Sequence, residues 1–309
     1  MKAKVVVILG PTATGKSHCG IGLAKNINGE IISGDSMLIY RGMNIATAKP
    51  SDAELAIVPH HLVDILNPFE NYNVVDFKVQ ADEIIKQLNS DNKMPIVVGG
   101  TGLYIKALLE NYQFNQTASS ETLRADLLAL AKREGNNAVY EQLLALAPKQ
   151  AQRLHPNNLY RVIRAIEAAK AGETVSQERS VEAPYDAIVF GLTMQRNVLY
   201  ERINHRVDIM VKEGLFEETE ALLASGVPKT AQAMRGIGYK QAILYLEGLL
   251  TKQAAIDDIK QATRNFAKRQ FTWYKKMPYV QWYELEPVPD YDDVVDKMTK
   301  IVVQKFNLG

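Results

Sequence analysis

The stretch GPTATGKS at residues 10–17 decides the fold of this chain. It follows an apolar run at residues 5–9, so it reads as a strand that passes through a glycine-rich loop into a helix. The spacing of its glycines and its Lys-Ser pair is the complete pattern of a phosphate-binding loop, although an ordinary glycine turn is the alternative. Backbone N–H groups of such a loop point at phosphate oxygens. The predicted phosphate site consists of Gly10, Pro11, Thr12, Ala13, Thr14, Gly15, Lys16, whose charge would face the phosphate, and Ser17, whose hydroxyl would hold Mg²⁺.

The composition is that of a globular protein. The chain has 309 residues, of which 47% are hydrophobic and 23% charged, enough for one large domain or two ordinary ones. The formal net charge of +1 indicates no class of partner. The single cysteine, Cys19, excludes an intramolecular disulfide and favours a reducing compartment. The apolar run before Gly10 is too short for a signal sequence or a membrane span, so we expect a cytoplasmic protein with no membrane partner.

Strand-like and helical patterns alternate along most of the chain. Short runs rich in β-branched residues at 5–9, 31–33, 95–98 and 187–192 predict βαβ units. Between about 115 and 182 only helical patterns occur, such as 121–133 and 157–171, and further helices are predicted at 196–212, 215–224 and 256–276. The predicted fold class is therefore α/β, a P-loop NTPase-like parallel sheet flanked by helices, with an all-helical insertion domain. Residues 1–114 and 183–309 would form the core with its C-terminal helices, and residues 115–182 the insertion.

The acid that an NTPase needs for its metal is missing from the expected place. The strand at 95–98 runs into GGTG (99–102), whereas an acid, Asp35, follows the strand at 31–33. Ligands of open α/β sheets bind beyond the carboxyl ends of the strands, so the phosphate loop, Asp35 and Thr101 should converge on one crevice. Asp35 would act there as a general base or, alternatively, as an indirect holder of the metal.

Two further segments have an alternative structural interpretation. GGTG (99–102) is either a second set of hydrogen-bond donors at the mouth of the crevice or a helix start capped by Thr101. His60 and His61 have no cysteine or acid at metal-ligand spacing, so we expect packing histidines.

The segment at residues 259–276 combines basic and aromatic residues and contains no acid. Lys260, Arg264 and Lys268 have the spacing of one helix face. A solvated helix with packed aromatic residues is one interpretation, and a surface for a phosphate backbone is the other. The basic residues of the segment also include Arg269, Lys275 and Lys276, its aromatic residues are Phe266, Phe271 and Trp273, and the insertion adds Arg124, Arg153, Arg161 and Arg164.

These motifs, taken together and in order, resemble the tRNA dimethylallyltransferases (tRNA isopentenyltransferases, the IPP transferase family) over essentially the full length. The chain departs from the family pattern at Leu38, where Gln is usual, at Ala46, where Gly is usual, and at Asn265, where Gln is usual. The matching stretches are GPTATGKS (10–17), SGDSMLIYRGMNIATAKP (33–50), HHLVDI (60–65), VGGTGLYIKALL (98–109), LHPNNLYRVIRAIE (154–167), MRGIGYKQ (234–241) and ATRNFAKRQFTWYKK (262–276).

The resemblance implies that the loop binds the diphosphate of dimethylallyl diphosphate, with Mg²⁺ as cofactor. The dimethylallyl group would pass to N6 of the adenosine 3′-adjacent to the anticodon (position 37) of tRNAs reading codons that begin with U, giving N6-(dimethylallyl)adenosine and pyrophosphate. Asp35, Thr101 and Lys16 would be catalytic, and Arg206 would contact the diphosphate, with Arg202 as its competitor.

The resemblance also implies a binding surface for the tRNA anticodon stem-loop. Its members would be Asp35, Ser36, Met37, Leu38, Thr101, Arg124, Tyr160, Arg161, Arg164, Arg235, Gly236, Gly238, Tyr239, Lys268, Arg269, Gln270, Trp273 and Lys275.

Three rival functions remain open from the sequence. The related adenylate isopentenyltransferases prenylate free AMP, ADP or ATP. A small-molecule kinase would use the same loop, but the strand at 95–98 lacks its acid. A non-catalytic RNA-binding NTPase switch is the third. The sequence is silent on the choice of tRNA and on oligomeric state, for which a monomer is the default expectation.

Overall fold

The computed structural model describes residues 2–112, 120–173 and 183–308. The chain divides into two compact units, one formed by Met1–Leu109 with Ala183–Gly309 and the other by Glu110–Glu182. The predicted limits of the insertion, residues 115 and 182, lie outside the described residues. No helix in the described ranges is long and apolar enough to cross a membrane.

The first unit is built on a parallel sheet, which confirms the predicted fold class. In its described residues the strand order is β3-β2-β4-β1-β5-β6, and all neighbours pair in parallel. The predicted strands are present, whereas β3 and β6 were not predicted, because β3 has two residues and β6 is largely exposed and lacks an apolar run. The strands are β1 (Lys4–Leu9), β2 (Gly29–Ser33), β3 (His60–His61), β4 (Met94–Gly99), β5 (Asp186–Met194) and β6 (Gln281–Leu285).

Helices cover both faces of this sheet. Val5, Val7 and Leu9 of β1 belong to one apolar cluster, and Val6 and Ile8 belong to the cluster on the opposite face. Because both faces are buried, β1 is apolar at every position from 5 to 9. The helices of this unit are α1 (Lys16–Asn26), α2 (Asp52–Leu55), α3 (Val74–Ser90), α4 (Gly102–Leu109), α9 (Arg196–Lys212), α10 (Leu215–Ala224), α11 (Tyr239–Leu246), α12 (Lys252–Tyr274) and α13 (Tyr291–Phe306), with a 3₁₀ turn at Ala233–Arg235.

The second unit is helical throughout its described residues. Its helices are α5 (Glu121–Glu134), α6 (Asn136–Leu146), α7 (Pro148–Ala151) and α8 (Leu159–Lys170). Their core includes Leu127, Val139, Leu143, Val162 and Ile166.

Three adjacent strands end at the same edge of the sheet and place the loops that follow them together. Leu9 of β1 is level with Gly99 of β4, and Ser33 of β2 is level with Val98. A Cβ atom on Gly99 would lie 2.3 Å from the carbonyl carbon of Gly34, so the loops approach as closely as they do only because glycine stands there. The phosphate loop, Asp35 and Thr101 therefore start from neighbouring positions.

Candidate active site

Two cavities meet at the phosphate loop of the first unit. The Asp35 cavity, of about 360 Å³, contains most of the predicted residues around the acid. The Ser17 cavity, of about 510 Å³, shares Lys16 and Arg206 with the Asp35 cavity. Predicted residues in the Asp35 cavity are Thr12, Lys16, Asp35, Ser36, Met37, Thr101, Arg206, Arg235, Gly236, Gly238, Arg269 and Gln270. Those in the Ser17 cavity are Ala13, Gly15, Lys16, Ser17 and Arg206.

Asp35 lies just beyond β2 and faces two cations across its cavity. Its Oδ1 accepts the backbone N–H of Met37 at 2.9 Å. Burial raises the pKa of the Asp35 carboxyl, while the Met37 N–H and the charges of Lys16 and Arg206 oppose that rise. A carboxylate whose pKa is raised towards neutral pH is a better proton acceptor than an ordinary aspartate.

Lys16 is held by its own loop. Its Nζ donates to the carbonyl oxygen of Pro11 at 2.8 Å. Burial, and next the charge of Arg206, lower the pKa of Lys16 to about 8, and Asp35 acts in the opposite direction. Lys16 and Arg206 lie close enough for their charges to interact, and Asp35, Glu54 and Glu213 also act on Arg206. The two cations would be the partners of a bound anion such as a diphosphate.

Thr101 uses its hydroxyl to connect two loops. Its Oγ1 accepts the backbone N–H of Ser36 at 3.1 Å. The first turn of α4 is satisfied instead by the Thr101 carbonyl oxygen, which accepts the N–H groups of Tyr104 and Ile105. Thr101 therefore directly precedes α4, as the helix-start interpretation predicted, but its side chain bonds to Ser36 instead of the helix, and the residue lines the Asp35 cavity.

One amide of the phosphate loop faces the protein. The N–H of Thr12 donates to Oε1 of Gln270 at 3.0 Å. The hydroxyl of Thr14, fully buried, donates to the Pro11 carbonyl at 2.9 Å. Thr12 was predicted to belong to the phosphate site, but its N–H is already bonded to Gln270 of α12.

Arg202 and Arg206, the two candidates for the diphosphate contact, have different surroundings. Arg202 Nε donates to the carbonyl oxygen of Ala13 at 3.0 Å, and its Nη2 donates to the Tyr291 hydroxyl at 2.8 Å. Arg202 therefore supports the loop through its backbone. Arg206, one turn further along α9, lines both cavities beside Lys16.

The Ser17 cavity has the donor chemistry that Mg²⁺ requires. The described residues contain no cluster of three or more His, Cys, Asp or Glu side chains that could bind a metal ion. Ser17 is exposed at the first turn of α1, and Glu54 and Glu213 line the same cavity. Mg²⁺ typically takes one or two protein oxygens, with substrate phosphates and waters completing its shell, so this set of oxygen donors fits it.

Part of the positive charge of the basic helix α12 is bonded to other side chains of the protein. Lys260 Nζ forms an ion pair with Asp208 of α9 at 2.6 Å, and Arg264 donates to Asn204 of the same helix. Lys260 and Arg264 therefore share a face, as their spacing predicted, but that face meets α9, whose side chains already bind both cations. Lys268 is exposed, and two further exposed cations lie over aromatic rings of α12 itself, Arg269 over Phe266 and Lys275 over Phe271.

Three residues predicted to bind tRNA have side chains that are occupied inside the protein. Tyr239 is fully buried and donates its hydroxyl to Glu218 at 2.7 Å, so a tRNA contact of this side chain is contradicted. Gln270 is buried, with both ends of its amide bonded to protein backbone. Trp273 packs against Gly102, with the Lys106 ammonium over its ring. A fourth predicted residue, Leu38, is half-buried and lines neither cavity.

In the second unit the predicted arginines fall into two groups. Glu167, with a side chain only 1% exposed, receives both Nε and Nη2 of Arg124, and Arg164 lies 3.4 Å from the same carboxylate. The pairing assigns Arg124 a role in stabilising this unit. Tyr160 and Arg161 are exposed.

His60 and His61 have protein partners. His61 Nε2 lies 2.7 Å from Glu30 Oε2, and His60 Nδ1 lies 2.8 Å from the carbonyl oxygen of Val58. Both residues belong to β3, away from the two cavities.

Three supporting residues escaped the sequence analysis. Glu218 of α10 accepts the backbone N–H groups of Asn44 and Ile45, which line the Ser17 cavity. Tyr274 donates its hydroxyl to the Gly100 carbonyl, and Tyr291 packs on Gly15. The sequence gives little indication of these three residues, because each acts through a backbone group that no sequence pattern identifies.

The chain is similar to known proteins along nearly its whole length. A family model described as IPP transferase matches residues 38–277. The chain is 45% identical to a tRNA dimethylallyltransferase of Alkaliphilus oremlandii, with 99% of each chain covered.

Solved structures are similar over the same length. The crystal structure of a tRNA isopentenylpyrophosphate transferase from Bacillus halodurans has a TM-score of 0.76 at 41% identity, and the match covers 99% of this chain and 97% of that one. A eukaryotic dimethylallyltransferase acting on tRNA has a TM-score of 0.77 at 28% identity, covering 97% of this chain and 77% of that one. The chain therefore belongs to the IPP transferase family.

Proposed function

We propose that this protein transfers the dimethylallyl group of dimethylallyl diphosphate to N6 of the adenosine 3′-adjacent to the anticodon (position 37) of tRNA. The observation that carries the proposal is the position of Asp35 in one cavity with Lys16 and Arg206. A proton acceptor and a pair of cations then face each other across a space open to two substrates. The names of the relatives support tRNA as the acceptor.

In the proposed reaction the bond between C1 of the donor and its bridging oxygen breaks, and the bond between N6 and C1 forms. The departing pyrophosphate gains negative charge next to Lys16, Arg206 and the free loop amides, which stabilise it in the transition state. When bound at Ser17, Mg²⁺ would supply further positive charge for the diphosphate.

Asp35 takes the proton that N6 loses. An exocyclic adenine amine is a poor nucleophile, so a carboxylate within hydrogen-bond reach assists the attack. Thr101, which lines the same cavity and whose hydroxyl accepts the Ser36 N–H, orients the reacting nitrogen. The adenine must leave the loop stack of the tRNA to enter this cavity.

The two cavities offer separate approaches for donor and acceptor. The Ser17 cavity contains the proposed metal ligand, which suits the diphosphate. The Asp35 cavity is bordered by Arg235 and by Arg269 of α12, which suits a nucleotide of tRNA. A monomeric, cytoplasmic enzyme that prefers tRNAs reading codons beginning with U stays a prediction.

The test is mass spectrometry of nucleosides from tRNA incubated with dimethylallyl diphosphate, Mg²⁺ and the protein. We expect one dimethylallyl group on the adenosine next to the anticodon and none on an anticodon stem-loop carrying guanosine there. Parallel reactions contain AMP as the acceptor, or ATP with no prenyl donor. Prenylated AMP with unmodified tRNA, or phosphoryl transfer from ATP, would contradict the proposal.

A further inference from the structure

The side chain of Gln270 bridges the two loops that the proposed reaction uses. Its Oε1 accepts the Thr12 N–H at 3.0 Å, and its Nε2 donates to the Gly100 carbonyl oxygen at 2.8 Å. Thr12 belongs to the phosphate loop, and Gly100 immediately precedes Thr101. We infer that Gln270 is a positioning residue whose amide fixes the donor loop relative to the segment carrying Thr101. The inference rests on the proposed function.

Burial makes this bridge specific. Gln270 is only 4% exposed, so each of its polar groups needs a protein partner. A primary amide provides one acceptor and one donor at a fixed separation, which a carboxylate or an aliphatic side chain of similar length cannot reproduce. The two loop groups that it connects are a donor, the Thr12 N–H, which meets the amide oxygen, and an acceptor, the Gly100 carbonyl, which meets the amide NH₂.

The surroundings leave the amide little freedom. A Cβ atom on Gly100 would lie 2.4 Å from Gln270 Nε2, so the absence of a side chain at residue 100 lets the amide reach the backbone. The Gly100 carbonyl also accepts the Tyr274 hydroxyl, one turn further along α12. Tyr274 therefore anchors α12 to one loop, whereas Gln270 connects both loops to each other.

The bridge lies next to the proposed chemistry without joining it. The same Cβ position at Gly100 is 3.8 Å from Asp35 Oδ2. Gln270 does not need to touch either substrate for its loss to matter, because a shift of about 1 Å between reacting groups can cost roughly 10²-fold in rate. Arg269, its neighbour on α12, lines the same cavity, so the basic helix and the donor loop are fixed to each other at this point.

The experiment compares Gln270→Met with the control Tyr274→Phe in steady-state prenyl transfer and in tRNA binding. Met fills a similar volume but removes both hydrogen bonds, and Phe leaves the bridge intact. Positioning predicts that Gln270→Met lowers kcat by at least about tenfold at saturating substrates, with tRNA Kd unchanged, while Tyr274→Phe stays within a few-fold of wild type. A raised tRNA Kd with normal kcat would mean that Gln270 contacts tRNA directly and would overturn the inference, as would normal values of both.

A second arm keeps the test decisive if Gln270→Met folds poorly, as thermal unfolding would reveal. Gly100→Ala pushes a methyl group against the amide, and we expect it to lower kcat in the wild-type background. In a Gln270→Ala background the same methyl group meets no amide, so Gly100→Ala should add little. Additive effects on kcat would refute the bridge. Absence of prenyl transfer by the wild-type protein would instead count against the proposed function.

Discussion

Arg202 donates a hydrogen bond from Nε to the carbonyl oxygen of Ala13, and so holds the backbone of the phosphate loop without lining either cavity. Arg206, on the same helix, lines both cavities. Two arginines four residues apart therefore have different surroundings, since Arg202 bonds to the loop backbone whereas Arg206, which we expect to contact the diphosphate, lines the cavities. The sequence offered both as candidates for the diphosphate contact, and the difference between them can be measured.

Arg206→Gln should lower kcat/KM for the prenyl donor by about 10- to 100-fold, the value of a lost charge-assisted hydrogen bond. Arg202→Gln is the matched control and should chiefly lower the free energy of unfolding, by about 1–3 kcal/mol, because it frees the Ala13 carbonyl and the Tyr291 hydroxyl. Steady-state kinetics and denaturant unfolding of both variants check this. Equal kinetic losses would contradict the division of roles.

The pH dependence of kcat/KM for the donor should report the ionisation of Lys16. Its pKa of about 8 means that the free protein carries the ammonium below that pH and loses it above, so kcat/KM should fall as pH rises through about 8. The charge of Arg206 contributes to this lowering. In Arg206→Gln the falling limb should therefore move to higher pH, and a limb that stays in place would exclude Lys16 as its origin.

Asp35→Asn should lower kcat by about 10²–10⁴-fold, because Asn is nearly isosteric but cannot accept the N6 proton at neutral pH. Donor and tRNA affinities should stay within a few-fold. In the wild type, kcat should fall as pH drops through the raised pKa of Asp35, since the carboxylate is the active form. An unchanged kcat in Asp35→Asn would contradict the role of Asp35 as proton acceptor and leave it a structural role, through its hydrogen bond to Met37.

Lys268→Ala should weaken binding to all tRNA substrates alike and make the salt dependence of binding shallower by about one unit of slope, as expected for one lost phosphate contact. Lys260→Ala is the control on the same helix, because its ammonium is paired with Asp208. We expect its tRNA affinity and slope to match wild type. Binding curves at several salt concentrations decide, and identical slopes for Lys268→Ala and wild type would remove α12 from the tRNA surface.

Arg124→Ala should destabilise the second unit by up to about 3 kcal/mol, because the buried Glu167 loses its bidentate partner and keeps, among the described residues, Arg164 and the Ser120 N–H. Arg161→Ala should leave stability within about 0.5 kcal/mol and weaken tRNA binding instead, since Arg161 is exposed. Hydrogen exchange in α5 and α8, together with tRNA Kd, separates the two effects. Unchanged exchange in Arg124→Ala would argue against its structural role.

The sequence predicted the main strands and the convergence of the phosphate loop, Asp35 and Thr101, because periodicity and parallel topology determine both. It missed β6, whose half-exposed residues lack a clear pattern. It assigned Tyr239 to tRNA, although its hydroxyl is used by Glu218. Contacts between residues far apart in the chain, such as Gln270 with Thr12, leave no local signal, so which polar groups are occupied internally could not be predicted.

The central position of β1 has a consequence for synthesis of the chain on the ribosome. β1 precedes the other described strands of the sheet in the chain, yet one of its edges pairs with β5, which begins at Asp186. Until that region emerges, a strand with five apolar residues in succession has an open edge, the kind of surface that invites pairing with other chains. The described part of the second unit is complete by residue 173, so its helices can fold before the sheet closes. The nascent chain thus carries an unfinished sheet while all the residues between Leu9 and Asp186 are synthesised.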